Sequence, residues 1–394
     1  MPQDIEQLRQ ETPGCQERIH LNNAGAALMP QPVLDAVQQH LELESRIGGY
    51  EAERARSDAI EDCYVAVAEL LGTSTHNIAF VENATVAYAG ALSAIPFESG
   101  DVILTSEDDY ISNQIMFLSL VRRLGINVVR APVCEAGGVD PDDMIRLMDR
   151  RHPRLVALTH IPTNSGLVQP VEVIGRACRE RDLLYLVDAC QSVGQRIVDV
   201  EHIGCDFLSA TSRKFLRGPR GAGFLFVSDR ALDTGLEPLF PDMRGARWVE
   251  ADVYQPVDSA QRFENWEFAW ALVLGTGAAA RYALDIGLDA IQQRASGLAA
   301  ELRDILREAG LRLLDRGQEL GAIVTVEVPG VEPDELIKAL DKARINANLS
   351  FREYAVMDFD RKGVDWALRL SPHYYNTREE LETVQALLGR WGHR

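Results

Sequence analysis

The six cysteines of this sequence, Cys15, Cys63, Cys134, Cys178, Cys190 and Cys205, form no CxxC pair and no compact framework, so reduced thiols serving mostly as small core residues are expected. No metal site is expected either. No uninterrupted apolar run approaches bilayer length, and the stretch MPQDIEQLRQETPGCQERIHL lacks a basic start followed by an apolar core. Neither a membrane span nor a targeting peptide is therefore expected. Basic clusters are missing as well. The balance of 40 Lys and Arg against 59 Asp and Glu leaves a net charge of −19 spread along the chain. That argues against nucleic acid or an anionic membrane as partner and for plain colloidal solubility. There is no internal repeat and no low-complexity linker. What these absences leave is a soluble, cytoplasmic globular chain, and 394 residues, 46% apolar and 25% charged, give it volume for a deep site.

Short apolar runs do occur, alternating with amphipathic stretches: NIAFV (77–81), DVILTS (101–106), NVVRAPV (127–133), RLVALTHI (154–161), LLYLVDA (183–189), DFLSATS (206–212) and GAGFLFV (221–227). Helical patterns such as NQIMFLSLVRRLG and PVEVIGRACRERD lie between them. This alternation predicts an α/β fold with a mostly parallel sheet covered on both faces. In such sheets the ligand sits beyond the carboxyl ends of the strands. The chain places Asn83 and Thr85, Tyr110, Asn164, Asp188 and Lys214 just after successive strands, so separate loops would converge on one crevice. Residues 230–270 are irregular and aromatic, with Trp248, Trp266 and Trp270, and suit either a binding or subunit-contact segment or a packed surface loop. A long helical stretch follows, with Gly275, Gly277 and Gly287 as expected breaks, and then a small α+β pattern. The expected division is a large domain over 16–270 and a small C-terminal domain over 271–394 joined by 1–15.

Lys214, in SATSRKFLRGPRGAGFLFV, sits between Arg213 and Arg217 and ahead of Gly218, Gly221 and Gly223. A lysine attacks carbonyls only when part of it is neutral, and neighbouring cations or desolvation can make it so. Taken alone it also fits a solvated surface charge beside a tight turn. Asp188 ends a buried apolar strand, where a carboxylate needs a positive partner or a capping role. Were the ligand pyridoxal phosphate, Asp188 would keep its ring nitrogen protonated, and Gln191 would be near enough to reach its phenolic oxygen. Asn83 and Thr85, in ENATVAYAG, open a helix whose free amides suit a phosphate, though capping alone would also use them. Asn164, in THIPTNSGLVQPV, fits an amide donor or a plain Asx turn.

As an ordered set, Asn-Ala-Thr, Tyr, Asn, Asp-Ala-Cys-Gln and Ser-Arg-Lys, with 26 residues from Asp188 to Lys214, the pattern resembles the class V aminotransferase family of fold type I pyridoxal phosphate enzymes. Cysteine desulfurases, selenocysteine lyases, isopenicillin N epimerase and the carbon–sulfur lyases of ergothioneine biosynthesis belong to it. The resemblance runs from IHLNNAGAALMP to LRLSPHYYNTREELE. It implies a seven-stranded, mostly parallel sheet, a small C-terminal domain, pyridoxal 5′-phosphate as cofactor and a homodimer. It implies Lys214 as the Schiff-base lysine and proton carrier, Asp188 against the ring nitrogen and Tyr110 stacked on the ring. Asn83, Ala84, Thr85, Thr211 and Arg213 would be phosphate neighbours, with Asn164 and Gln191 at ring oxygens. Arg369 would grip the substrate carboxylate, and Asn22 and Asn23 would lie over the site. Two departures stand out. Arg213 replaces a histidine common in the family, and RFENWEFAW has Asn265 and Glu267 where relatives carry a threonine reaching the partner's phosphate.

One more absence bears on the reaction. Desulfurases keep a nucleophilic cysteine in the loop before the substrate arginine, and ANLSFREYAVMDFDRKGVDWALRLS contains none. Elimination, epimerisation and amino transfer remain, and all begin with removal of the α-proton. The expected activity is a carbon–sulfur lyase acting on a cysteine-type amino acid. An epimerase or aminotransferase is the alternative, and a non-catalytic protein that kept the fold is the remote one.

Overall fold

A computed structural model describes residues 4–392. The seven apolar runs form one sheet, with β1 at Ile78–Val81, β2 at Val102–Ser106, β3 at Asn127–Ala131, β4 at Leu155–Thr159, β5 at Leu184–Asp188, β6 at Phe207–Thr211 and β7 at Gly223–Val227. Every residue of β1, β4, β6 and β7 is buried, because both faces are covered. Alternate residues serve two different cores: Val156 and Leu158 face one, Leu155 and Ala157 the other. The strand order is β1-β7-β6-β5-β4-β2-β3. Only β7 runs against the rest, since it pairs antiparallel with both β6 and β1. The glycine-rich turn after Lys214 makes that reversal. Gly221 has φ +92, and a Cβ on Gly218 would lie 1.8 Å from Ser212 Oγ.

A second sheet of four strands is antiparallel, with β8 at Arg312–Leu313, β9 at Val324–Glu327, β10 at Asn348–Phe351 and β11 at Trp366–Leu370 in the order β8-β9-β11-β10. Its apolar face makes a separate core that includes Val324, Val326, Leu368 and Leu370. Four residues from the N-terminal segment and the large-sheet loops join that core: Leu21, Ala24, Ile161 and Phe215. They stitch the second sheet onto the mouth of the first. The N-terminal segment does likewise, pairing Ile19 and His20 in parallel with Ile345 and Asn346 and bridging Asn22 to Ser371.

The helical stretch departs from expectation at two of its three glycines. Gly275 and Gly277 lie inside helix α3 (Trp270–Ile286), which packs against α1 (Gln31–Ile47) and α2 (Ser57–Leu71). They allow close approach: a Cβ on Gly275 would stand 2.6 Å from Val37 Cγ2, and one on Gly277 2.2 Å from Cys63 Sγ. The break is at Gly287 alone, with φ +94, where α3 meets α4 (Leu288–Glu308) at 84°. No single helix among the described residues is long and apolar enough to cross a membrane. Because α3 shares its core with the large sheet, as does Leu8, we propose that the division between the two units runs through Gly287 rather than after residue 270. Within 230–270 the chain forms an antiparallel hairpin, Ala246–Glu250 with Val253–Pro256, whose residues are mostly exposed.

Candidate active site

At the carboxyl ends of the large sheet's strands a cavity of about 430 Å³ opens. Its walls carry Asn83, Ala84, Thr85, Tyr110, Asp188, Gln191, Thr211, Arg213 and Lys214, nine of the expected residues from four strand ends. Lys214 is buried, with Nζ 5.7 Å from the centre of the Tyr110 ring. Burial lowers its pKa. Asp188 opposes that lowering, while Arg213 and Arg369 add to it. Cys190 also counts against it only as a thiolate, and burial holds that thiol well above its ordinary value. Arg217, the other flanking cation, has a different role. Its guanidinium turns away to donate to Leu28 O at 2.8 Å and Thr12 Oγ1 at 2.6 Å, and it lies over the Tyr374 and Tyr375 rings. It fastens the N-terminal segment and the small-unit loop to the lysine turn.

Asp188 ends β5 and enters a turn rather than a helix, so it is not a helix cap. Its Oδ1 accepts the Cys190 N–H at 2.9 Å and its Oδ2 accepts from Asn113 Nδ2 at 3.0 Å. The carboxylate is oriented by these two donors. No carboxylate lies within 4.0 Å of Lys214 among the described residues, so amine and acid face each other across space instead of pairing. Asn83 caps the helix Ala84–Ala94, accepting from Val86 N at 3.0 Å, which presents the first turn's amides to the cavity. Strand β7 comes close here because Gly223 has no side chain: a Cβ would meet Ala210 O at 2.7 Å and the Asn83 carbonyl carbon at 2.9 Å.

Arg369 lies on β11, buried, outside the cavity wall proper. It donates to Thr163 O at 3.2 Å and Asn22 Oδ1 at 3.3 Å, and its Nε has no partner. Burial, then Arg213, push its pKa down to about 10. Asn22 and Asn23 differ. Asn22 meets Arg369, whereas the Asn23 amide is fully engaged with Ser371 O at 2.7 Å and the Tyr375 hydroxyl. Asn164 is buried but is not in the cavity wall, where Ile161 and Thr163 stand instead. Asn265 and Glu267 line a separate cleft, with Asn265 donating to Glu82 at 3.3 Å.

Asn113, Thr159 and Cys190 were not among the expected residues. Asn113 lies one turn into the helix after Tyr110, where the strand-end rule could have found it. Its Nδ2 bridges Asp188 to Asp109, 3.0 Å from each carboxylate.

The residues fit pyridoxal phosphate. A helix terminus with a glycine cradle suits the phosphate, and Asp188 suits a protonated ring nitrogen. Lys214, its pKa lowered by burial, suits an aldehyde, and the partnerless Gln191 Oε1 and Arg369 Nε leave polar capacity for ligands. No cluster of metal ligands is found among the described residues.

The model of the family "Aminotransferase class-V" matches residues 19–384. The chain is 29% identical over 395 residues to a probable cysteine desulfurase of Methanothermobacter thermautotrophicus, covering 98% of each. It is likewise 29% identical over 374 residues to a probable hercynylcysteine sulfoxide lyase of Mycobacterium tuberculosis, covering 94% of this chain and 89% of that one. The apo structure of a cysteine desulfurase from Thermococcus onnurineus NA1 superposes with a TM-score of 0.90 at 25% identity, covering 98% and 97%.

Proposed function

The chain belongs to the class-V aminotransferase family and is a pyridoxal-phosphate-dependent enzyme, and from that premise we propose that it is a carbon–sulfur lyase which eliminates the β-substituent of a cysteine-type amino acid. The observation that carries this reading is the buried amine of Lys214 set opposite Asp188 in a cavity with no usable thiol. Pyridoxal phosphate, when bound, supplies the electron-withdrawing ring that makes the substrate's α-proton acidic. Asp188, fixed by Cys190 N and Asn113, would hold the proton on that ring's nitrogen. Arg369 takes the α-carboxylate through its planar fork. Lys214 Nζ, its pKa lowered by burial, would take the α-proton. The Cβ–S bond then breaks with its electron pair leaving on sulfur. The remaining three-carbon fragment takes up water to give pyruvate and ammonia.

Elimination is favoured over persulfide transfer because the segment before Arg369 has no cysteine. The only cavity cysteine, Cys190, is held as a thiol by burial and so is a poor nucleophile. The same reading makes the enzyme a homodimer in the cytoplasm. Phe240, 84% exposed, and Trp248, 80% exposed, with Leu239, Met243 and Trp266 nearby in sequence, supply an apolar surface that a second copy would cover.

The test is direct. Purified protein with S-substituted cysteines should release pyruvate and ammonia in equal amounts and consume the α-proton in step. Lys214→Ala should abolish release and the visible absorption band that forms on adding the cofactor. Epimerised substrate without pyruvate would favour the alternative activity.

A further inference from the structure

We infer that Arg213 selects the substrate: it receives a second anionic group, carried on the β-substituent of the amino acid, while Arg369 takes the α-carboxylate. This rests on the lyase reading and deepens it. Both guanidiniums hang from one tight turn of the N-terminal segment. Arg213 donates to Gly25 O, Arg369 donates to Asn22 Oδ1, and Gly25 N donates to Asn22 O at 3.0 Å. That turn is itself pinned at both ends, since Ala27 N donates to Arg213 O at 2.8 Å and Asn22 bridges Ser371.

Neither arginine has a carboxylate within 4.0 Å among the described residues. Arg303 pairs with Asp315 and Arg244 with Glu264, each at 2.7 Å, while the buried Arg217 and Arg262 are satisfied by carbonyl and hydroxyl oxygens; Arg369 Nε has neither kind of partner. Arg213 bears on Arg369 and Arg220 bears on Arg213, and with both guanidiniums partly stripped of water they are best relieved by anions delivered from outside. A monoanionic side of the substrate satisfies one of them. The second calls for another acidic group, one borne beyond Cβ such as a sulfinate or a distal carboxylate, because Arg213 and Arg369 contact different residues of the turn, Gly25 and Asn22.

The competing role is contact with the cofactor's phosphate, because Arg213 and the Asn83–Thr85 helix terminus share one cavity. The bond to Gly25, and the effect of Arg213 on Arg369, instead place the guanidinium on the side of the N-terminal turn.

Calorimetric titration of the holoenzyme with isosteric pairs decides between these roles. S-carboxymethyl-L-cysteine is compared with S-carbamoylmethyl-L-cysteine, and L-aspartate with L-asparagine, in wild type, Arg213→Gln and Arg213→Lys. The wild type should bind the acidic member of each pair at least about tenfold more tightly. Arg213→Gln should erase that preference, Arg213→Lys should keep part of it, and the dissociation constant for pyridoxal phosphate should stay within about twofold in both. Equal binding of acid and amide by the wild type overturns the inference, whether or not the variants fold. So does a preference that survives in Arg213→Gln, or cofactor affinity that falls about tenfold in that variant. Pyruvate release by the wild type is scored separately: its absence sinks the lyase reading, while the binding comparison still decides the role of Arg213.

Discussion

The amide of Asn113 stands between two buried carboxylates that would otherwise repel each other beneath the cavity. Burial, opposed by donors from Thr159, Asn113 and Gln114, raises the pKa of Asp109, and Asp188 adds to that rise. Replacing the amide by an apolar isostere removes one of the two donors that orient Asp188. Asn113→Leu should therefore weaken pyridoxal phosphate binding roughly tenfold, as loss of a hydrogen bond to a charged group implies. Fluorescence titration of the apoprotein measures it, and Asn113→Gln should recover part of the loss. Unchanged affinity in Asn113→Leu would show that Asp188 is held by other contacts. Sequence made the strand-end residues legible because each follows an apolar run directly. It did not separate Asn22 from Asn23, since neighbours in a turn point opposite ways and only tertiary packing decides which reaches Arg369.

At the scale of elements, helix α3 is set by what it lacks along one side. Gly275 lets it approach Val37 of α1 so closely that an added Cβ would fall 2.6 Å from Cγ2, with Pro219 Cγ at 3.1 Å. Gly275→Ala should then destabilise the fold by about 1–3 kcal/mol, as overpacking does. Combined with Val37→Ala, the loss should be smaller than the sum of the two single changes, because the shortened side chain vacates the contested space. Urea denaturation of the four proteins gives the coupling, and simple additivity would mean that the helices slide apart instead. The seven large-sheet strands were readable for the opposite reason: strands buried on both faces become continuous apolar runs. Strand β10, Asn348–Phe351, was not, because NLSF is short, half polar and at the sheet's edge. Glycines 275 and 277 read as breaks because a sequence shows a missing side chain without showing what approaches it.

Across the whole molecule, three histidines occupy the seam between the two cores. His20 precedes Leu21, His160 precedes Ile161, and His373 lies 5.2 Å from Phe215, so each adjoins a residue that joins the second sheet's core to the first unit. Burial keeps all three neutral, lowering their pKa values from 6.5 to about 4 for His20 and about 3 for His160 and His373. An unfolded chain binds protons on these rings below pH 6.5 while the folded one does not, so their contribution to stability is present above that pH and is lost progressively toward their folded values. Asp108, raised to about 6 chiefly by burial and then by Asp358, acts with the opposite sign over an overlapping range, and Asp109, also raised by burial, shares that sign. A total pH slope therefore mixes both, and a single-residue difference isolates the histidine effect. His160 is the choice, since neither of its ring nitrogens has a partner and Gln cannot titrate. Lowering the pH from 6.5 to 5 should cost wild type about 2 kcal/mol more than His160→Gln, at about 1.4 kcal/mol per unit below the free value. Denaturant titrations of both proteins at the two pH values measure the difference. An equal loss in the two would mean that His160 is already charged in the folded protein, and that acid opens the seam through the other two rings.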